Sequence, residues 1–161
     1  MAASYLIRPM GRDDLPVVTA WRRQHHVRRW WGPPETEPET DRPSEPRVAT
    51  WIAALDARPL AFLQDYAIAD WSPHHFDDLP PGSRGMDICI GPADALGRGH
   101  GAGIVRQHVD HLFSLGVPAV GIDPHPDNAR ARTAFARAGF VTAGGPRDTP
   151  WGRAILMHRF A

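Results

Sequence analysis

Lysine is absent: all 18 basic side chains of this 161-residue chain are arginine. That excludes the nucleoside-triphosphate P-loop, in which a lysine must follow the last glycine to reach the phosphates. It also fits the coding bias of a GC-rich genome, as do the 17 prolines and 15 glycines. A single cysteine, Cys89, rules out an internal disulfide and suits a reducing compartment. No apolar run approaches the roughly 20 residues that span a bilayer. The first residues lack the basic start and long apolar stretch of a secretory signal. A cytoplasmic protein with no membrane partner is therefore expected. Acidic and basic residues balance at 18 each, which argues against nucleic-acid binding through a basic surplus. There are nine histidines but no clustered cysteine or carboxylate set beside them. The pairs His25-His26, His74-His75 and His108 with His111 are expected to be polar surface or weak contacts at a cleft, with no metal. Asn128 is the only asparagine, and in such a composition it suggests a residue kept for a purpose.

What is present reads as one domain over residues 1–161. Residues 5–8 read as a strand, and Asp13 and Asp14 suit the first turn of a helix running towards His26. Residues 32–46 are proline-rich and acidic, with Glu35, Glu37, Glu39, Asp41 and Glu45 against Arg42. Residues 48–55 and 60–69 form a predicted hairpin about Asp56-Ala57-Arg58. A polar loop over 70–84 leads to a strand at 86–90. Val105, Val109, Leu112 and Phe113 share one face of a predicted helix over 104–116. Residues 117–123 read as a strand. Asp127 is the expected N-cap of a helix bearing Ala131, Ala134, Phe135 and Ala138 on one face and ended by Gly139. Strands at 140–143 and 154–160 complete the order β-α-β-β-β-α-β-α-β-β. The class is mixed α/β, with antiparallel hairpins early and a β-α-β core late.

The most informative stretch is Gly97-Arg98-Gly99-His100-Gly101-Ala102-Gly103, between the 86–90 strand and the following helix. Residues without side chains at a helix start let amide groups approach an anion, and the helix dipole favours it. This reads as a phosphate-binding turn, with a tight turn that binds nothing as the alternative. A dinucleotide fingerprint fails, because the third glycine of Gly-x-Gly-x-x-Gly would fall on Ile104 when counted from Gly99. Arg98-x-x-Gly101-x-Gly103 instead resembles the pyrophosphate loop of the GNAT superfamily of acetyl-coenzyme A-dependent N-acetyltransferases. The resemblance extends over residues 85–143 through Asn128-Ala-Arg-Ala-Arg-Thr-Ala-Phe135-Ala-Arg-Ala-Gly139-Phe140. It implies a central mixed, mostly antiparallel sheet flanked by helices. It also implies acetyl-coenzyme A held along Ile88, Ile90, Arg98, Gly99, Gly101, Gly103, Asn128 and Phe135. Asn128 either bonds the pantetheine arm or simply caps its helix. Phe135 departs from the family, where a tyrosine commonly protonates the departing thiolate.

Outside that core, His26-Val27-Arg28-Arg29-Trp30-Trp31-Gly32, Gln64-Asp65-Tyr66, Arg84-Gly85-Met86-Asp87 and Asp123-Pro124-x-Pro126-x-Asn128 resemble the aminoglycoside 6′-N-acetyltransferases. Siderophore-pathway N-acyltransferases share part of this pattern. A polycationic amine substrate calls for carboxylates, and loop 32–46 and the stretch with Asp65, Asp70, Asp77, Asp78 and Asp87 supply them. Well-solvated acidic loops are the plainer account. Trp31 is the candidate platform for a sugar ring, with neighbouring Trp30 turned to the core, and Tyr66 and Asp70 are further candidate contacts.

Asp87 is the candidate general base. On its strand Met86, Ile88 and Ile90 point one way and Asp87, Cys89 and Gly91 the other. A carboxylate among apolar neighbours needs a partner, which a substrate ammonium or a salt bridge to Arg84 would be. The resemblance matches Asp123 to an aspartate that grips the substrate amines; the alternative is a turn carboxylate before Pro124. A backbone N–H near Ile88 or Cys89 is the expected oxyanion donor. Cys89 is not expected as a nucleophile, since no base is placed beside it. The function expected is direct acetyl transfer to a primary amine, most specifically the 6′-amine of an aminoglycoside. Acylation of a siderophore intermediate or lysine amine, and a noncatalytic binding module, remain as alternatives. Monomer and homodimer are both open.

Overall fold

The computed structural model describes residues 2–33 and 45–161. The acidic run through Glu35, Glu37, Glu39, Asp41 and Arg42 lies outside the described residues. Strand β1 (Leu6–Pro9) is followed by helices α1 (Leu15–Arg23) and α2 (His25–Trp31). Strands β2 (Val48–Leu55), β3 (Arg58–Ala67) and β4 (Arg84–Ile90) come next, then α3 (His100–Ser114), β5 (Ala119–Ile122) and α4 (Ala129–Arg137). Strands β6 (Val141–Thr142), β7 (Arg147–Thr149), β8 (Gly152–Ala154) and β9 (Met157–Phe160) complete the chain. Seven strands form one sheet in the order β1-β2-β3-β4-β5-β9-β6, and β7 and β8 form a separate hairpin. Every pair in the large sheet is antiparallel except β4 with β5. The mixed, mostly antiparallel sheet flanked by helices is thus observed.

The alternation of β4 distributes two cores. Met86, Ile88 and Ile90 join Ile104, Val105, Val109, Phe135 and Phe140 beneath α3 and α4. Cys89 faces the other way and packs with Val18, Trp21, Val27, Ile52 and Phe62 beneath α1 and α2. Each fully buried large side chain contributes roughly 1.5–3 kcal/mol of transfer free energy, so both faces of the sheet are anchored.

Three local expectations are corrected. The helix expected to run unbroken to His26 is two helices, because Gln24 adopts an extended backbone (ψ 137°). Continuing the Val18–Trp21 stripe at helical spacing would turn His25 and Arg28 to the core, and both are exposed. The break re-phases the chain so that Val27 and Trp31 pack there instead. At α4 the cap is Asn128, not Asp127: the Asn128 Oδ1 accepts from the Ala131 N–H at 3.2 Å. The last predicted strand is divided between β8 and β9, and the β7–β8 hairpin was not foreseen.

Candidate active site

The sheet opens where β4 meets β5. Their parallel pairing covers only Arg84–Val120 and Gly85–Gly121, so the rest of β4 has a bare edge on that side. The Gly91 N–H donates to the Leu60 O at 2.9 Å and the Ile68 N–H to the Ser83 O at 3.3 Å. Main-chain groups alternate along a strand, so those of Cys89 turn to β3 while those of Ile88 and Ile90 turn to the gap. Of the two expected oxyanion donors, the Ile88 N–H therefore faces the opening and the Cys89 N–H does not. The Ile90 carbonyl accepts from the His26 Nε2–H at 2.9 Å.

A cleft of about 430 Å³ follows this gap between α2, the end of β4, the glycine turn and α4. At one end Gly99 caps α3 in a left-handed conformation (φ 84°) that a side chain would strain. The Gly103 N–H is the first to bond within this turn, to the Gly99 O at 3.1 Å. The amides before it lie at the positive end of a 15-residue helix. Gly99 and Gly101 line the cleft, whereas the Arg98 side chain is exposed. His100 also lines it, with its Nδ1 on the Tyr5 hydroxyl at 3.1 Å. Asn128, Ala131, Ala134 and the buried Phe135 form the opposite wall. Phe135 brings no hydroxyl, so the departure at this position stands.

Both tryptophans of α2 line the cleft, which changes the expected division of labour. Trp31 is the one fixed to the core, its ring 5.8 Å from that of Phe62 and beneath the Arg22 guanidinium at 5.3 Å. Trp30 reaches across to His125 with ring centres 5.5 Å apart.

The cleft ends against Ile88 and Cys89, and Asp87 precedes them on the α1/α2 face of the sheet. The Gln64 Nε2–H donates to the Asp87 Oδ2 at 2.9 Å, across the register that pairs these residues. Tyr66 lies on the same face, with its ring over Gly85, where a Cβ would come within 2.4 Å. Burial, then the charges of Asp87 and Asp123, push the Tyr66 hydroxyl far above its ordinary pKa, so it stays protonated. One tyrosine thus senses both candidate carboxylates. Asp123 accepts from the His75 Nε2–H at 2.7 Å.

The acidic set divides. Asp65 sits on the opposite face of β3, buried, accepting from Trp51 Nε1 at 2.7 Å, His108 Nε2 at 2.9 Å and Arg84 Nε at 2.5 Å. Burial alone would raise its pKa, but the His108 hydrogen bond and the Arg84 charge outweigh it and hold the carboxyl below the usual range. Asp65 is therefore a structural hub and not a cleft carboxylate. Arg84 belongs to that hub, so the salt bridge considered for Asp87 is not the one formed. Asp77 braces its own loop, accepting from the His74 N–H at 2.8 Å and the Ser72 hydroxyl at 3.1 Å. Asp70 is exposed on the turn after β3, within electrostatic reach of Arg47. Asp78 is likewise exposed, and Asp87 and Asp123 are the two carboxylates whose charges act on Tyr66. Three of the histidines expected at the surface or cleft are interior: His74 and His108 are buried and the His75 side chain is 3% exposed.

The arrangement suits a long ligand with an anionic group at the glycine turn and amide groups along the β4 edge. Its reactive end would lie beside Ile88 and Asp87. The family model of the acetyltransferase (GNAT) domain matches residues 11–145. The aminoglycoside N(6′)-acetyltransferase type 1 of Klebsiella pneumoniae is 33% identical over 165 residues, covering 96% of this chain and 82% of that protein. A kanamycin resistance protein of Rhizobium radiobacter is 38% identical over 82 residues, covering 50% of this chain and 75% of that one. Among solved structures, aminoglycoside acetyltransferase AAC(6′)-Ib with paromomycin and acetyl-coenzyme A superposes with a TM-score of 0.82 at 28% identity, covering 98% of this chain and 93% of that one. The same enzyme with coenzyme A and kanamycin gives 0.81 at 28% identity, covering 98% and 95%. Among the described residues no helix is long and apolar enough to cross a membrane. With a bare-amide helix start and an open strand edge, and matched by the acetyltransferase family over most of its length, this chain belongs to the GNAT acetyltransferases, in the family of the aminoglycoside N(6′)-acetyltransferases.

Proposed function

We propose that this acetyltransferase transfers the acetyl group of acetyl-coenzyme A to the 6′-amine of aminoglycosides, in the cytoplasm, with Asp87 as general base. The observation that carries the reading is the position of Asp87. It directly precedes Ile88, which lines the cleft running from the α3 amides, and a second carboxylate, Asp123, acts on the same tyrosine. The amides from Gly99 to Ala102 would hold the diphosphate, the main chain of Ile88 and Ile90 the pantetheine amides, and Asn128 and Phe135 the walls. The co-substrate supplies an acetyl thioester. Asp123 and Asp70 attract the polycation, Trp31 and Tyr66 offer ring faces, and Asp87 takes a proton from the substrate ammonium, freeing the amine lone pair to attack the thioester carbon. As the C–N bond forms, the Ile88 N–H stabilises the oxyanion, and the C–S bond then breaks to release thiolate. Phe135 gives that thiolate no proton; a thiolate is stable enough near neutral pH to leave without one.

Incubation with kanamycin and acetyl-coenzyme A tests this reading. Kanamycin-dependent release of free thiol, with acetylated product by mass spectrometry, is expected. A kanamycin-induced gain in melting temperature without thiol release would instead mark a binding module.

A further inference from the structure

The segment His74–Phe76 lies on the sheet because Gly121 leaves room for it; a Cβ there would come within 2.8 Å of the Phe76 ring. This docks His75 against Asp123, Nε2 to Oδ2 at 2.7 Å, with side chains only 3% and 16% exposed. A carboxylate only accepts, so Nε2 carries the proton and Nδ1 of the neutral ring keeps its lone pair. That Nδ1 is buried and has no hydrogen-bond partner among the described residues. The ring is clamped by His74, stacked at 4.0 Å, by Phe76 at 4.6 Å and by Trp151 edge-on at 5.7 Å. The charged and titratable groups around it are Asp123 from the end of β5, His74 and Asp77 from its own loop, and Tyr66 and Asp87 from β3 and β4. Trp151, from the β7–β8 turn, adds no charge. The Phe76 N–H donates to the His74 Nδ1 at 3.1 Å, so neutral His74 carries its proton on Nε2, towards the Tyr66 hydroxyl. Burial, with the neighbouring His75 adding to it, holds His74 below the ordinary histidine range.

We propose that His75 is a positioning residue that fixes the Asp123 carboxylate so that its second oxygen is aimed at the substrate ammonium. The inference rests on Asp123 receiving a substrate ammonium, as in the function proposed above. The His75 donor occupies Oδ2 at 2.7 Å, and the second carboxylate oxygen remains for the ammonium. His75 touches neither reacting atom; it acts through Asp123.

Steady-state kinetics of the full chain with kanamycin and acetyl-coenzyme A read KM and kcat separately. His75→Gln retains a donor towards Asp123 and should keep KM for kanamycin within about twofold of native. His75→Phe keeps the stack without the donor and should raise KM several-fold at pH 8. Equal KM values in native and His75→Phe chains that both turn over kanamycin, or a kcat that falls with KM unchanged, would overturn the role of His75 alone. A native chain that neither binds nor acetylates kanamycin would overturn the aminoglycoside reading, and this inference with it.

Discussion

Replacing Asp87 by asparagine removes one charge and almost no volume, and it separates a base from a mere binding residue. The Gln64 amide now donates to Oδ2 at 2.9 Å; asparagine retains an oxygen for it, so the β3–β4 register and fold should survive. The glycine turn is untouched, and coenzyme A affinity should stay within about twofold. If Asp87 only attracted the substrate, its loss would remove one charge-assisted hydrogen bond of about 1.5–3 kcal/mol. That would raise KM for kanamycin roughly 10- to 100-fold and leave kcat alone. If Asp87 accepts the proton, kcat itself should fall about 100- to 10,000-fold, a barrier increase of roughly 3–5 kcal/mol. The assay is thiol release at saturating kanamycin, with coenzyme A binding by calorimetry and melting temperature as controls. Asp123 remains to bind the amine, so saturation stays accessible. A kcat within fivefold of native, in a chain that still binds coenzyme A, would refute proton transfer to Asp87.

Two further outcomes follow from the packing. Gly121→Ala would drive a Cβ into the Phe76 ring at 2.8 Å; overpacking should cost about 1–3 kcal/mol, lower the melting temperature and weaken kanamycin binding more than coenzyme A binding. Unchanged stability and unchanged KM would show that the aromatic segment does not depend on that gap. The Asp65 carboxyl is held below its ordinary pKa in the folded chain, so its contribution to stability is full above about pH 4, the unfolded value, and is lost as pH falls through the folded one. Native melting temperature should therefore drop steeply in acid. Asp65→Asn should melt lower at pH 7, by the equivalent of about 3–5 kcal/mol for a broken buried pair, yet show a shallower acid slope; parallel pH curves would discount the hub.

Much of this was legible because it is local. The alternation from Met86 to Ile90 assigned strand faces, the Asp56-Ala57-Arg58 turn marked a hairpin, and the glycine turn marked a helix start. What failed was whatever needs a distant partner. Asp65 was grouped with the cleft acids although strand parity already set it on the face opposite Gln64 and Tyr66; its reason, His108 on α3, lies 43 residues away. His75 looked like polar surface because its partner Asp123 is 48 residues on. The division of α1 from α2 did carry a signal, a jump in apolar phase from Val18 and Trp21 to Val27 and Trp31. Composition around Gln24 gives no glycine or proline to advertise the break. Trp30 and Trp31 could not be assigned from their angular separation alone, because a cleft wide enough to touch both faces of α2 accepts either.

The two halves of the site have one structural origin. Gly85 and Gly121 are register partners, the last at which β4 and β5 pair. Beyond them the strands part, and the bare edge of β4 becomes the wall of the cleft leading from the α3 amides. On the sheet face, the missing side chains of the same two glycines admit Tyr66 and Phe76, and with Phe76 come His75 and its hold on Asp123. Side chains at these positions would fill the floor of the amine site without touching the phosphate turn. Asp87 is two residues past Gly85, at the corner where the edge and the face meet. A carboxylate further along β4 would follow the strand away from Tyr66 and Asp123, and one before Gly85 would lie where the sheet is still closed. Under the proposed function, it is this position, more than the residue type, that would let Asp87 meet an amine on one side and an acyl carbon on the other.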